Sequence, residues 1–248
     1  MTAIKFGTDG WRAIIAKDYT NDNVARVAKA TADWIIGRSE SPSAVIGYDC
    51  RFGGLMFSQL TACVLAENGV KVYIDPNFST TPMVSMGALQ NNATAGIVIT
   101  ASHNPPTYNG FKIKDGFGGP AVPAEIAKIE ALIPDSYSAP SKTYEAFKEE
   151  GVIEEVDLET AYFNHCEKIL DMDVIRNSDM KLAYDAMYGA GQRVLGRLLP
   201  DAKILHNEHN PGFYGQAPEP IAKNLGELQD LLKSGAYSLG LATDGDAD

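Results

Sequence analysis

Residues 45–53 read Val-Ile-Gly-Tyr-Asp-Cys-Arg-Phe-Gly, an apolar run that leads into Tyr-Asp and then into a glycine turn. Residues 182–189 repeat this order as Leu-Ala-Tyr-Asp-Ala-Met-Tyr-Gly. A short apolar run that ends in a glycine turn predicts a buried strand followed by a helix. The repetition therefore predicts that one α/β unit occurs twice in this chain of 248 residues.

The sequence around these two segments keeps the same order in both halves. Helical periodicity over residues 21–36 and 57–68 alternates with short β-branched runs, which is typical of layered α/β domains. We predict two tandem related α/β domains, residues 1–150 and 151–248, each with a mixed, mostly parallel sheet and helices on both faces. Three further pairs of segments match between the halves: residues 71–74 with 203–206, 80–82 with 218–220, and 97–100 with 239–243. In the second of these pairs, each segment is predicted to begin a helix.

The composition narrows the class of protein. Hydrophobic residues make up 45% of the chain, and 32 acidic against 21 basic residues give a net charge of −11. This balance argues against nucleic-acid or acidic-membrane partners, which require basic surface. Three widely spaced cysteines suggest no disulfide framework, and neither a signal-peptide core nor a membrane-spanning run is evident. We expect a cytoplasmic protein with reduced thiols, either a monomer or a homodimer.

A small hydroxyl residue lies in a strand-end loop of the first half. Residues 100–105, Thr-Ala-Ser-His-Asn-Pro, follow the apolar run at residues 96–99. Open α/β sheets bind ligands at strand-end loops, so Ser102 is a candidate catalytic residue. The alternative is an ordinary turn in which Ser102 and Asn104 satisfy the local backbone. A serine hydrolase is disfavoured, because His103 in extended backbone would point to the opposite face and the Gly-x-Ser-x-Gly elbow is missing.

Three alternating carboxylates occupy the equivalent strand end of the second half. Asp244, Asp246 and Asp248 are separated by Gly245 and Ala247. Acids in this spacing can surround one hard cation, and ligation by oxygen alone suits Mg²⁺, Mn²⁺ or Ca²⁺ rather than zinc. Two alternatives stay open, a solvated acidic turn and a calcium EF-hand loop. An EF-hand needs a preceding helix, whereas the preceding residues read as a short strand.

Three basic residues lie beside glycine-containing turns and would give an anionic substrate its local positive charge. Arg12 ends the glycine-rich turn at residues 7–12, whose backbone N–H groups suit an anion, and Arg51 follows the first Tyr-Asp pair. Lys112 follows an Asn-Gly pair, which predicts a tight hairpin turn that folds the lysine back toward the serine loop. The competing interpretation is that each is an ordinary surface charge.

Together, these segments resemble the α-D-phosphohexomutase superfamily, which includes phosphoglucomutases and phosphomannomutases. The Thr-Ala-Ser-His-Asn-Pro run is highly specific to that family, and the joint match covers nearly the whole chain. The matching segments occur in the family's order: residues 6–12, 47–51, 100–105 with 108–112, and 244–248.

The resemblance implies a role for each candidate residue. Ser102 would carry a phosphoryl group as phosphoserine, and the three aspartates would bind Mg²⁺, Mn²⁺ or another divalent cation together with an oxygen of that phosphoserine. Arg12 would neutralise the transferring phosphoryl oxygens. Lys112 would act as general acid or base on the sugar hydroxyl, with a pKa lowered by neighbouring cations, and His103 would orient or assist.

The resemblance also implies the reaction. The phosphoserine would exchange a phosphoryl group with a hexose phosphate and interconvert hexose 1-phosphate and hexose 6-phosphate through hexose 1,6-bisphosphate. Glucose is favoured and mannose comes second, because residues 213–220 and Trp11 resemble the mutases of those sugars more than the glucosamine branch. A phosphoglucosamine mutase is the alternative.

Two further expectations concern how much of the family the chain covers. Family members have four domains and this sequence resembles the first two, so we expect the 248 residues alone to show negligible mutase turnover. The rival to an enzyme is a non-catalytic module that binds a metal or a phosphosugar. The intact serine, lysine and three aspartates favour the enzyme.

Overall fold

The computed structural model describes residues 4–248 and shows a six-stranded and a three-stranded sheet with helices packed against them. The elements of the first unit are, in chain order, β1 (Trp11–Ile14), α1 (Asn21–Ile36), β2 (Ser43–Tyr48), α2 (Gly54–Glu67), β3 (Lys71–Ile74), α3 (Thr81–Gln90), β4 (Ala95–Ile99), β5 (Tyr108–Asp115), α4 (Pro123–Leu132), α5 (Tyr144–Glu149) and β6 (Ile153–Glu155). Those of the second unit are α6 (Leu158–Ile169), α7 (Met172–Arg176), β7 (Leu182–Asp185), α8 (Val194–Leu198), β8 (Lys203–Leu205), α9 (Gly226–Lys233) and β9 (Leu239–Ala242), with 3₁₀ turns at Ala190–Gln192 and Phe213–Gly215.

The strand order confirms two related α/β units. In the first sheet the order is β1-β5-β4-β2-β3-β6, with β4, β2, β3 and β6 parallel and β5 antiparallel to both of its neighbours. In the second sheet the order is β8-β7-β9, all parallel. The two Tyr-Asp strands, β2 and β7, are the equivalent central strands of the repeat. β6 extends the first sheet just beyond the predicted boundary at residue 150.

Helices cover both faces of the first sheet because neighbouring strand residues point to opposite sides. Ile46 of β2 packs in the core formed with α1 and α2, whereas its neighbour Val45 packs with Val84 of α3. α1 has the bounds that the periodicity predicts, and the side chain of Thr20 caps it by accepting from the backbone N–H of Asn23. None of the helices described between residues 4 and 248 is long and apolar enough to cross a membrane.

The predicted hairpin turn at the Asn-Gly pair is wrong. Asn109 and Gly110 lie inside β5, where they pair with β1. A Cβ atom on Gly110 would collide with the backbone oxygens of Thr100 and Trp11. Glycine is therefore needed here because three backbone segments approach closely, rather than because the chain turns.

The predicted helix start at residues 218–220 is also wrong, since α9 begins at Gly226. The intervening residues form a turn that Asn224 closes through its side chain. Its Nδ2 donates to the backbone oxygen of Glu219 at 2.8 Å and to that of Ala217 at 3.4 Å. These bonds hold the proline-containing segment as irregular chain beside the second sheet.

One apolar cluster joins the two units. Leu158 of α6 is 2% exposed and belongs to the same buried cluster as Val45 and Met83 of the first unit. Val194 and Leu198 of α8 complete this cluster. Helices of the second unit therefore share a buried core with the first sheet, which fixes the second unit against the first.

Replacing Leu158 with alanine should destabilise both units together. The lost methyl groups and the resulting cavity should cost about 2–5 kcal/mol, and unfolding should remain a single transition. Urea unfolding followed by circular dichroism and by tryptophan fluorescence measures both features. Leu89→Ala is the matched control, because Leu89 is 58% exposed and should change stability little. Two separate transitions in the Leu158 variant, with one unchanged, would contradict the shared core.

Candidate functional site

The serine loop and the acidic loop meet at the carboxyl ends of the two sheets. The serine loop follows β4 and the acidic loop follows β9, the equivalent strand of the repeat. The hydroxyl of Ser102 donates to Asp244 Oδ2 at 2.6 Å, although the two residues are 142 positions apart. The shared core and the repeated topology thus bring the predicted hydroxyl and the predicted carboxylates into direct contact.

Ser102 has a turn conformation that also exposes its side chain to the acids. Its φ is +53°, in the left-handed region that L-residues rarely adopt. Its N–H donates to Thr100 Oγ1 at 2.8 Å, and the N–H of Asn104 donates to Ala101 O at 3.0 Å. The loop is a turn, but the ordinary interpretation of its two polar side chains is wrong, because the Ser102 hydroxyl donates to Asp244 of the second unit and Asn104 Oδ1 accepts from Arg12.

The predicted orientation of His103 is wrong. Because Ser102 is left-handed rather than extended, the two adjacent side chains lie on the same side, with His103 Nδ1 3.4 Å from Ser102 Oγ. The imidazole therefore lies within reach of the hydroxyl proton.

The three aspartates form a compact group that fits a cation. Each offers one carboxylate oxygen, and these oxygens lie within 4.8 Å of one another. Asp244 and Asp246 are buried while Asp248 is exposed. Among residues 4–248, the Oδ1 atoms of Asp244 and Asp246 have no hydrogen-bond partner, although both are buried. Buried carboxylate oxygens without a donor are costly, and a divalent cation would satisfy them.

The element before the acidic loop excludes the EF-hand. Leu239–Ala242 is strand β9, whereas an EF-hand loop follows a helix. The burial of two of the three carboxylates also disagrees with a solvated acidic turn. The donor set remains one of oxygens alone, which suits Mg²⁺ or Mn²⁺.

The two buried carboxylates have pKa values that shift in opposite directions. Burial and the negative charge of Asp246 raise the pKa of Asp244 to about 7. Burial also opposes ionisation of Asp246, but the Lys112 ammonium and the Thr81 hydroxyl outweigh it and hold the pKa of Asp246 below its ordinary value. At neutral pH, Asp246 is therefore ionised and Asp244 retains a proton in a large fraction of molecules.

Lys112 reaches the acidic loop along a strand rather than through a hairpin. It lies on β5 and is 2% exposed. Its Nζ is 2.8 Å from one oxygen each of Asp9, Asp246 and Asp248, which accounts for all three ammonium protons. Burial opposes the charge, but Asp246 and the other carboxylates raise the pKa of Lys112 above its ordinary value. The expectation of a lowered pKa is wrong, since the lysine faces acids rather than cations.

The two candidate arginines have different surroundings. Arg12 is partly exposed and donates from Nη1 to Asn104 Oδ1 at 2.7 Å, so its guanidinium borders the serine loop. The Arg51 side chain is fully buried, and all of its N–H groups are bonded to protein oxygens. Arg12 can contact an anionic ligand, whereas the prediction that Arg51 supplies charge to a substrate is wrong.

A cavity of about 270 Å³ opens where the loops meet. It is lined in part by His103, Asp244, Asp248, Glu219 and Pro220. Glu219 and Pro220 of the segment 213–220 therefore contribute a wall of this cavity. A ligand in it would contact both loops at once.

Two residues of the site were not predicted from sequence. Thr81 of α3 donates its hydroxyl to Asp246 Oδ2 at 2.6 Å and its N–H to Asp246 O at 2.9 Å. Asp9, in the glycine-rich turn, contacts Lys112. The Thr-Thr-Pro run signalled a helix start and the glycine-rich turn was noted for its arginine, but neither pattern names a partner 165 residues away.

The affinity for Mg²⁺ should rise with pH through neutrality. Asp244 must lose its proton to ligate a cation, so below a pKa of about 7 the affinity should fall by up to about tenfold per pH unit. Titration calorimetry between pH 5.5 and 8.5 in two buffers of different ionisation enthalpy measures the affinity and the proton released. An affinity that is constant from pH 6 to 8, with no proton release, would contradict the assignment.

Comparison with known proteins identifies the class. Residues 3–139 match the family model described as phosphoglucomutase/phosphomannomutase, alpha/beta/alpha domain I, and residues 160–248 match domain II of the same family. The chain belongs to the phosphoglucomutase/phosphomannomutase family.

Individual relatives differ in the sugar that their names specify. A "Probable phosphoglucosamine mutase" of Methanosphaera stadtmanae is 31% identical over 98% of this chain and 53% of its own length. A "Phosphoglucomutase/phosphomannomutase" of Thermococcus kodakarensis is 30% identical over 98% of this chain and 53% of its own. The crystal structure of a "putative phosphomannomutase" from Thermus thermophilus superposes with a TM-score of 0.90 at 34% identity, covering 99% of this chain and 56% of that one. The chain thus spans about half the length of the curated relatives it matches.

Proposed function

We propose that this protein is a phosphohexomutase in which Ser102 carries the phosphoryl group. The observation that carries the proposal is the 2.6 Å hydrogen bond from the Ser102 hydroxyl to Asp244, one of three acids that fit a single cation. Phosphoryl transfer depends on in-line positioning and on neutralising charge, so a hydroxyl beside a cation site is well suited to it.

The proposed reaction has two transfers. In the first, the bond between phosphorus and Ser102 Oγ breaks while phosphorus bonds to a hydroxyl oxygen of a hexose phosphate, which gives hexose 1,6-bisphosphate. The sugar hydroxyl loses its proton to a base, and the serine oxygen gains one. In the second transfer, the bond between the other phosphorus and its sugar oxygen breaks while that phosphorus bonds to Ser102 Oγ. The serine oxygen loses its proton, the sugar oxygen gains one, and the isomeric hexose phosphate leaves.

The proton and charge roles follow from the contacts of each residue. His103, with Nδ1 3.4 Å from Ser102 Oγ, exchanges the serine proton. Lys112, whose ammonium the neighbouring carboxylates keep charged, is the acid that returns a proton to the sugar oxygen, and it neutralises the buried carboxylate of Asp246. Arg12, which is partly exposed at the serine loop, binds oxygens of the transferring phosphoryl group.

Asp244, Asp246 and Asp248 would hold Mg²⁺ or Mn²⁺ together with a phosphoserine oxygen at Ser102. The unpartnered oxygens of the two buried aspartates support this assignment. A cation bound there neutralises charge on the transferring phosphoryl group.

The sugar preference of the enzyme is tested by assaying three substrates side by side. The wall segment 213–220 favours glucose or mannose, whereas several relatives are named for glucosamine. The chain, expressed in the longest reading frame that contains it, is supplied with Mg²⁺, a trace of glucose 1,6-bisphosphate and the 1-phosphate of glucose, mannose or glucosamine. We expect conversion to the 6-phosphate with glucose preferred. Failure to convert any of the three would overturn the mutase assignment.

A further inference from the structure

The guanidinium of Arg51 lies fully buried beneath the serine loop. Arginine has five N–H donors in a rigid plane, and each of them is engaged here. Nε donates to Asp49 Oδ2 at 3.0 Å, while the two Nη groups donate to backbone oxygens of the serine loop and of Tyr108, the first residue of β5. Those four oxygens belong to Ser102, Asn104 at 2.7 Å, Pro105 at 2.9 Å and Tyr108 at 3.2 Å.

The converging carbonyl groups explain why an arginine is needed at this position. Four backbone oxygens that point at one buried spot repel one another, and loss of the guanidinium would take a donor from each of them, although Pro105 O would keep the N–H of Tyr108 at 3.0 Å. A single planar cation satisfies them together, and Asp49, which is also fully buried, balances its charge. A lysine ammonium has three donors on one atom and cannot span this set of oxygens.

The same network fixes both backbone groups of Ser102. Its carbonyl oxygen accepts from Arg51, and its N–H donates to Thr100 Oγ1, which in turn donates to Asp49 Oδ2 at 2.7 Å. A left-handed backbone is strained for serine, so this conformation persists only where the surroundings enforce it. The Asp49–Arg51–Thr100 network provides that enforcement.

The second unit closes over this network. The ring of Phe213, which is fully buried, lies with its centroid 5.1 Å from the Arg51 guanidinium carbon. A Cβ atom on Gly245 of the acidic loop would collide with the backbone oxygen of Ser102. Arg51 therefore lies at the point where the serine loop touches the acidic loop.

We propose that Arg51 is a positioning residue, which holds Ser102 in the left-handed conformation that directs its hydroxyl at the acidic loop. Its side chain is buried and every N–H group is engaged, so it has no donor left for a ligand. The proposal rests on the proposed function, because the positioned hydroxyl is taken to be the phosphoryl acceptor. The hold of Arg51 on the backbone of the serine loop, here called the clamp, is a feature of the structure alone.

Arg51→Lys tests the clamp. The protein, expressed in the longest reading frame that contains the chain, is mixed with Mg²⁺ and varied glucose 1,6-bisphosphate, and phosphorylation of Ser102 is followed by intact mass. We expect the limiting rate to fall about 100-fold through misplacement of the hydroxyl, while the half-saturating bisphosphate concentration and the Mg²⁺ affinity stay near those of the wild type. Arg26→Lys is the matched control, because Arg26 is also largely buried and donates to Pro134 O at 2.7 Å, away from the site.

The outcomes separate this proposal from the proposed function. If the wild-type chain is not phosphorylated, the phosphoserine assignment fails; if Arg51→Lys keeps the wild-type limiting rate, the clamp fails. Should the variant not fold, nuclear magnetic resonance of the wild type decides. Slow water exchange of the Arg51 guanidinium protons, relative to those of the partly exposed Arg12, supports the clamp, and exchange as fast as that of Arg12 overturns it.

Discussion

Ser102→Ala is expected to abolish phosphoryl acceptance while leaving the fold and the cation site in place. The substitution removes the oxygen that would bond to phosphorus, and no neighbouring hydroxyl takes over, because Thr100 Oγ1 is committed to Asp49 and Thr81 Oγ1 to Asp246. Loss of a covalent nucleophile lowers such a reaction by about four orders of magnitude or more. The measurement is the rate of phosphorylation by glucose 1,6-bisphosphate, followed by mass.

The control for this variant is Ser58→Ala. Ser58 is equally buried and bonds only its own helix, through Leu55 O at 2.9 Å, so its loss should leave phosphorylation at the wild-type rate. Persistent phosphorylation of the Ser102 variant would mean that another residue carries the group. Loss of Mg²⁺ binding in that variant would instead show that the serine is needed to form the cation site, which the account does not expect.

Asp246→Asn is expected to weaken Mg²⁺ binding by at least about 100-fold, more than the loss of an outer-shell partner usually does. The change is nearly isosteric, but it removes the ionised carboxylate at the centre of the acidic loop. It also removes the negative charge that pairs with the Lys112 ammonium at 2.8 Å, which weakens the attraction that holds this ammonium in the site. Titration calorimetry with Mg²⁺ and Mn²⁺ measures the affinity.

Asp230→Asn carries the same change of charge at an exposed position on α9. It should bind Mg²⁺ as the wild type does, which separates loss of a ligand from loss of net charge. Equal affinities for the two variants would show that Asp246 is not a ligand. Circular dichroism of both confirms that the comparison concerns folded protein.

Local patterns predicted the parts of the fold that depend on neighbouring residues. α1 has the bounds that its periodicity indicates because a threonine cap and an apolar stripe both lie within the segment. The repeat around the two Tyr-Asp strands predicted that the serine and acidic loops occupy equivalent strand ends. The family resemblance, rather than this equivalence alone, implied that Ser102 and Asp244 share one site although they are far apart along the chain.

The features that the sequence did not predict depend on contacts between residues that are far apart along the chain. The Asn-Gly pair signals a hairpin locally, but the backbone approach at Gly110 requires glycine for a different reason. Arg51 was interpreted as a free cation, because nothing in its own segment indicates that four backbone carbonyl groups from residues 102–108 converge on it. The pKa of Lys112 likewise depends on Asp246, which lies 134 positions further along.

The most direct test of the central claim is the mass of the wild-type protein, expressed in the longest reading frame that contains the chain, after incubation with glucose 1,6-bisphosphate and Mg²⁺. The account predicts a gain of one phosphoryl group, about 80 Da, located by peptide mapping on Ser102 and lost again when excess hexose phosphate is added. No gain in mass, or a gain on any residue other than Ser102, would contradict it.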